Sequence, residues 1–259
     1  PVGGDHLTLT GRPSGWVSFV ASWAAQAYVI GGRPDDHLRL TRIGYERGDP
    51  WLGARCGVAW VLGNLGRLDE AEEYAEGLIE AAEATEIPWS TVFALEAWAS
   101  ARVATNPRGA LEARQRALRL AERSHCRLLA TIILRELAWL EGLHGDPHAA
   151  ADHFEDAISM YHRSGNTPNL LATFARLADC FEQRGLFETA ATLVGTASDN
   201  PATASLVPDL PRAEERLRSA LGADRYDELS ASGAAMDRGA AVDYARAQLG
   251  KLDHTGSSA

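Results

Sequence analysis

Cysteine is scarce and never paired. Cys56, Cys126 and Cys180 are odd in number and far apart, and no CxxC occurs. Neither a disulfide frame nor a zinc cage is expected, and the thiols read as buried side chains in a reducing compartment. Basic charge is also in short supply: 25 Lys and Arg face 35 Asp and Glu, a net charge of −10. Gripping phosphates needs a positive face, so direct nucleic-acid binding is not expected. Signatures of catalysis are missing as well. The sequence holds no GxSxG, HExxH or GxGxxG, and no GxxxxGK followed by Ser or Thr. No segment reads as a helix-turn-helix with a basic recognition helix. The expectation is therefore no catalytic residue, no metal ligand and no cofactor.

A chain of 259 residues can bury a large core, as one elongated domain or two compact ones. It starts at Pro1 without a methionine, and no secretory signal opens it, so it reads as a piece of something longer. Residues 13–32, PSGWVSFVASWAAQAYVIGG, carry no charge. Their apolar part is short for a membrane span and is interrupted by Ser18, Ser22 and Gln26, so a buried helix of a soluble, cytoplasmic protein is the better reading.

What the sequence does have is a period. Ala71, Ala110, Ala150 and Ala190 are spaced by 39, 40 and 40 residues. Five positions before each stand Gly66, Thr105, Gly145 and Gly185; thirteen before are Val58, Ala97, Leu137 and Leu177; seven after are Leu78, Ala117, Ala157 and Ala197. Apolar and small residues returning in register mark a repeat protein. Each repeat reads as two helices. The first, as in HCRLLATIILRELAWLEG, is apolar on most faces; the second, as in LDEAEEYAEGLIEAAE, puts Ala71, Ala75, Leu78, Ile79 and Ala82 on one stripe. The glycine turns the chain, and Asp69, Asn106 or Asp146 offers an acceptor to the next helix's free N–H groups. Pro107 and Pro147 suit a first helical turn. A weaker repeat spans about 16–47, with Gly31 at its turn.

Small-apolar first-helix positions, a turn glycine, then an alanine and an aromatic (GRLDEAEEYAEGLIEA) resemble tetratricopeptide (TPR) repeats, with a period longer than the usual 34. The resemblance implies an all-α, right-handed TPR-like superhelix, an α-α solenoid of about five helix pairs followed by short C-terminal helices. The expected organisation is an N-terminal extension over 1–15, repeats over 16–198, a linker over 199–210, a helical cap over 211–250 and a disordered tail over 251–259.

One stretch, WLEGLHGDPHAAADHFEDAI, carries three histidines and four acids between His144 and Asp156, the composition of a metal site. Gly145 and Pro147 break the helix between His144 and His148, so these two need not share a face. The equivalent helix of the preceding acidic repeat, residues 69–86, is richer in acid still and has no histidine. The stretch is read as a solvated turn and helix face. Residues 69–86 hold eight acids and no base. The next repeat's second helix carries Arg108, Arg114, Arg116, Arg119 and Arg123, so partial facing of the two charge rows is expected.

Beyond Ala197 the rhythm fails. SDNPATASLVPDLP, with three prolines, reads as a linker. Short helices follow, in PRAEERLRSALG, DRYDELSASG opened by Asp224, and DRGAAVDYARAQLG opened by Asp237. Leu221-Gly222, Tyr226, Gly233, Met236, Ala241-Val242 and Ala245 resemble the segment that closes the helical-repeat region of large actinobacterial signalling ATPases. Many of those end in a LuxR-type DNA-binding domain, and some begin with a nucleotide cyclase domain. The resemblance implies a non-catalytic sensor or protein-interaction domain of a larger signalling or transcription regulator. Its partners would be a protein or peptide, other domains of the same chain, or a small-molecule effector, with no membrane. A stand-alone TPR adaptor or peptide receptor is the alternative.

TPR-like solenoids bind partners on the concave wall of first helices. Mapped by register, that wall would show Tyr28, Trp60, Asn64, Leu95, Arg102, Arg135, Trp139, Asp179, Glu182 and Gln183. Arg102 and Arg135 could grip a carboxylate. Tyr28, Trp60 and Trp139 would be anchors, though each tryptophan could equally pack between repeats as core.

Overall fold

A computed structural model describes residues 33–46, 52–198 and 200–252. The N-terminal extension, the apolar run at 13–32, Tyr28, Gly31 and the tail beyond Leu252 lie outside the described residues. Among those described, all regular structure is helical and there is no strand. No described helix is long and apolar enough to cross a membrane. Where the periodicity suggests one continuous run of repeats, the chain divides into two compact units, Pro1–Cys126 and Arg127–Ala259. The division falls at the turn where His125 takes a left-handed φ of 57°.

The first unit contains α1 (Pro34–Glu46), α2 (Gly53–Asn64), α3 (Leu68–Ala75), α4 (Leu78–Glu83), α5 (Pro88–Arg102) and α6 (Pro107–Arg123). Consecutive helices pack together, and α5 touches α2, α3, α4 and α6. That environment explains why α5 is apolar on nearly every face, with residues 90–97 all buried. Ala71, Ala110 and Ala117 have no exposed surface, so the repeating small residues mark where helices approach closely.

The acidic segment expected as one helix over 69–86 is broken. At Glu76 the backbone turns extended, and Gly77 adopts φ 63°, ψ 14°. A glycine takes that left-handed conformation without a Cβ penalty. The carbonyls freed by the break are not left bare: Arg55 of α2 donates its Nε–H to the Tyr74 carbonyl at 2.9 Å and its Nη2–H to the Glu76 carbonyl. Asp69, expected to cap the helix, lies inside its first turn and makes no capping bond. Asn106 does cap α6, its Oδ1 accepting from Gly109 N–H at 3.0 Å.

The second unit contains α7 (Arg127–His144), α8 (Pro147–Ser164), α9 (Thr167–Gln183) and α10 (Phe187–Ala197), then α11 (Pro201–Leu206), α12 (Leu210–Leu221), α13 (Ala223–Ala234), α14 (Arg238–Gln248) and a 3-10 turn, Leu249–Leu252. Ala150, Ala157, Ala190 and Ala197 are fully buried. Asp146 and Asp237 cap α8 and α14 through His148 N–H at 2.9 Å and Ala240 N–H at 2.8 Å. The expected linker holds α11 instead. Asn200 accepts from Ala202 N–H at 2.9 Å and Pro201 occupies the first turn, so this proline starts a helix rather than breaking one. Ala202 and Leu206 then bury on the side that packs on α9.

Two contacts fix the C-terminal helices. Where α10 crosses α13, a Cβ added at Gly195 would meet the Ser230 backbone, and one at Gly233 would meet the Thr192 carbonyl. Each helix therefore supplies a glycine so that the two backbones can touch. Of the residues that carry the resemblance noted above, Tyr226, Gly233, Ala241, Val242 and Ala245 are buried, Leu221 and Met236 are half-buried and Gly222 is exposed. The chain then returns to α8, where Arg246 holds Glu155 at 2.8 Å and Ser159 at 2.5 Å. Arg184, in the turn after α9, donates to the carbonyls of Gly142 at 2.7 Å, Cys180 at 3.0 Å and Leu252 at 3.1 Å. Substituting Gly233→Ala drives a methyl group into the α10 backbone. We expect a loss of about 1–3 kcal/mol, the usual range for overpacking, read as a lower urea midpoint.

Candidate functional site

The described wall residues expected in the first unit, Trp60, Asn64, Leu95 and Arg102, each meet the chain's own residues. Trp60 is 3% exposed and packs against His37 of α1, ring centroids 5.9 Å apart; α1 covers the face that would have met a partner. Leu95 is core for the reason given for α5, at 1% exposure. Asn64 turns its amide back to the Trp60 carbonyl at 2.7 Å. Arg102 does grip a carboxylate, but it is Glu72 of the same chain, at 2.9 and 2.7 Å from Nε, with the guanidinium 4.6 Å above the Trp98 ring. Their hydrogen bond holds the Glu72 carboxyl below its ordinary range and raises Arg102. An open cleft of about 260 Å³ beside the pair is lined by Leu68, Asp69 and Ala101, among others.

Charge facing between the acidic and basic rows is partial. Arg116 pairs with Glu83, whereas Arg114 turns inward. It is 2% exposed, donating to Glu96 at 3.0 and 3.2 Å and to Ser100 at 3.2 Å. The acidic row also reaches back to α1 through Arg42–Glu70 at 2.8 Å.

In the second unit the expected residues do meet. Trp139 on α7 donates its indole N–H to Asp179 on α9 at 2.7 Å. Arg176 lies 4.0 Å above the Trp139 ring and pairs with Glu136 at 3.0 Å. Arg135, the second expected carboxylate grip, is 1% exposed and bonded to Glu136 at 2.8 Å and to the Asn169 side chain at 2.7 Å. From α12, Arg216 reaches Glu182 at 2.5 and 2.8 Å and Asp179 at 3.6 Å. Burial pushes the Asp179 carboxyl up, against the Trp139 hydrogen bond and the nearby arginines. Gln183 stands exposed beside them. The result is a connected polar surface: an indole fixed by a carboxylate on its edge and a guanidinium on its face, with a second carboxylate beside it. It can hold and orient a charged or planar group.

Sequence reasoning missed Glu136, Asn169, Arg176 and Arg216. For two of them a signal existed. Trp139–Asp179 and Glu136–Arg176 are both 40 residues apart, so partners at equal register in adjacent repeats can be read off the period. Arg216 lies outside the repeats and carries no such mark.

The histidine-rich stretch is not simply a solvated face. Among the described residues no group of three or more His, Cys, Asp or Glu is placed to hold a metal ion. His153 Nδ1 lies 2.6 Å from Glu141, and Glu155 docks α14 through Arg246. Two of its polar residues thus tie helices together. Of the three thiols, Cys56 and Cys180 are buried but Cys126 is only half-buried. No protein-family model matches the chain, and no curated protein matches it.

Two titrations follow with opposite sign. His37 is fully buried, neither ring nitrogen has a hydrogen-bond partner among the described residues, and burial lowers its pKa from 6.5 to about 4. Between those values the unfolded chain takes a proton that the folded chain refuses, so stability is full above about pH 6.5 and falls as pH drops toward 4. The loss at pH 5 is roughly 2 kcal/mol, and His37→Leu should abolish it in urea titrations at pH 5 and 7. His153 goes the other way. Its hydrogen bond to Glu141 raises it above its ordinary value, so its contribution is present below about pH 6.5 and is lost as pH rises through the folded value. His153→Gln should flatten that alkaline arm. Glu136→Gln removes the countercharge shared by the buried Arg135 and Arg176; a loss of about 3–5 kcal/mol is expected, the cost of leaving a buried charge uncompensated, read by the same denaturation.

Proposed function

We propose that this chain is a non-catalytic, TPR-like sensor or interaction segment of a larger bacterial signalling or transcription regulator. Its helix pairs would form a right-handed superhelix whose first helices offer a binding wall. An effector or partner on that wall would bias a switch in another domain by binding one arrangement more tightly than the other. The observation that carries the reading is the α7–α9 surface. Trp139 and Asp179 occupy the same register in adjacent repeats and join edge to edge, with Gln183 exposed alongside, where a TPR-like wall would place its contacts. The buried pattern from Tyr226 to Ala245 supports the further assignment to a regulator, through its resemblance to the segment closing the repeats of signalling ATPases. A stand-alone adaptor is the second reading, and it shares the same surface.

Native mass spectrometry of the chain purified from bacterial cytosol tests the wall. A reproducible extra mass is expected, lost in the Trp139→Phe and Gln183→Ala double variant, which keeps the ring and removes the indole N–H and the exposed amide. An extra mass that survives the double variant would remove the wall from the proposal. Reading the gene on both sides tests the regulator assignment: an adjoining ATPase core, cyclase or DNA-binding domain supports it, and their absence hands the case to the adaptor.

A further inference from the structure

The four charged groups expected to contact a partner are all occupied by this chain's own residues. Arg102 holds Glu72, Arg135 holds Glu136, and Asp179 and Glu182 are both met by Arg216, Asp179 also by Trp139. The last two differ in kind. Arg102 meets a carboxylate of a helix packed on its own and Arg135 that of the next residue on α7, whereas Arg216 comes from α12, outside the repeats, and approaches from solvent. Its side chain is 47% exposed, while the Glu182 side chain it grips is 8% exposed and that of Asp179 22%. The fork is oriented so that Nε and Nη2 each meet one Glu182 oxygen, at 2.5 and 2.8 Å. A bidentate pair of this kind selects guanidinium over ammonium, because only the planar fork matches both oxygens.

The receptor is built without Arg216. Asp179 is fixed by the indole N–H of Trp139, whose face is covered by Arg176, which is itself tied to Glu136. Glu182 stands on the last turn of α9, its side chain 8% exposed with Arg216 in place. One basic side chain thus reaches in from outside to two neighbouring carboxylates. The helix that delivers it is lightly held. Only Leu210, Ala213 and Leu217 of α12 are buried. Its remaining polar ties, Glu214 to Ser198 and Arg218 to Asp227, involve exposed groups of the sort that contribute little.

We infer that the Asp179–Glu182 pair is a receptor for an arginine side chain of a protein or peptide partner, and that Arg216 occupies it in cis as a stand-in for that arginine. This rests on the binding wall proposed above and names the partner's chemistry: a basic segment presenting an arginine, fitting a chain of net charge −10. The partner would displace α12 from α9, which links occupancy of the wall to the position of the C-terminal helices.

The test uses the full chain and a defined probe, acetyl-Ala-Arg-Ala-amide, which has no carboxylate of its own. The readout is the indole N–H resonance of Trp139, assigned by its loss in Trp139→Phe. In Arg216→Gln, which keeps most of the side chain's length, the probe is expected to shift that resonance saturably. Binding should be at least about tenfold weaker in the wild-type chain, whose own arginine competes. Adding Glu182→Gln to Arg216→Gln should abolish the shift, and the lysine analogue of the probe should bind more weakly. If Arg216→Gln does not fold, Arg216→Lys serves, since a lysine fills the receptor without matching its fork and the arginine probe should outcompete it. No saturable shift in a folded Arg216 variant, or equal binding to wild type and variant, overturns the inference. Should native mass spectrometry find a wall-bound ligand while the arginine probe fails, the wall stands and its proposed chemistry falls.

Discussion

Close approach between helices is the constraint on which the rest depends. Ala71, Ala110, Ala150 and Ala190 present no surface to solvent, and at the α10–α13 crossing even an alanine would be too large. Small side chains let the backbones come together, and the larger apolar residues around them then fill the remaining space by interdigitation. The spacing also dictates where charge can go. Where a long charged side chain does enter the packed face it needs a partner: Arg114, between Ala110 and Ala117 on the buried face of α6, and Arg135 and Arg176 are all ion-paired rather than left to water.

Those partners depend on guanidinium chemistry. Lys251 is the sole lysine in the sequence; every other basic residue is an arginine. A guanidinium carries five donors in a plane and can serve several acceptors at once. Arg55 closes the break between α3 and α4 in this way, and Arg176 stacks on one neighbour while pairing with another. An ammonium has three donors but neither the planar fork nor the flat face that these junctions use.

The helices were legible because their signal is periodic: one alanine recurring about every forty residues sets the phase of the apolar positions around it. The caps at Asn106, Asp146 and Asp237 were legible because a cap is local, decided within three residues. What escaped was neither periodic nor local. The break at Glu76–Gly77 depends on Arg55, some twenty residues earlier, reaching the freed carbonyls. The helix at Pro201 was hidden because proline both starts and stops helices, and only burial against α9 shows which. Trp60 could not be assigned to core or contact from its register, since the covering helix α1 belongs to the weakest repeat. The site was half legible: its α7 and α9 residues follow from register, while Arg216 comes from a segment with no register at all.

Arg184 has a mechanical consequence. One side chain holds the carbonyls of Gly142, Cys180 and Leu252, which close α7, α9 and the final 3-10 turn. The final turn is therefore tied at once to the ends of two long helices by one planar group, beside the packing of Leu249 and Leu252, and replacing that group loosens three chain segments together.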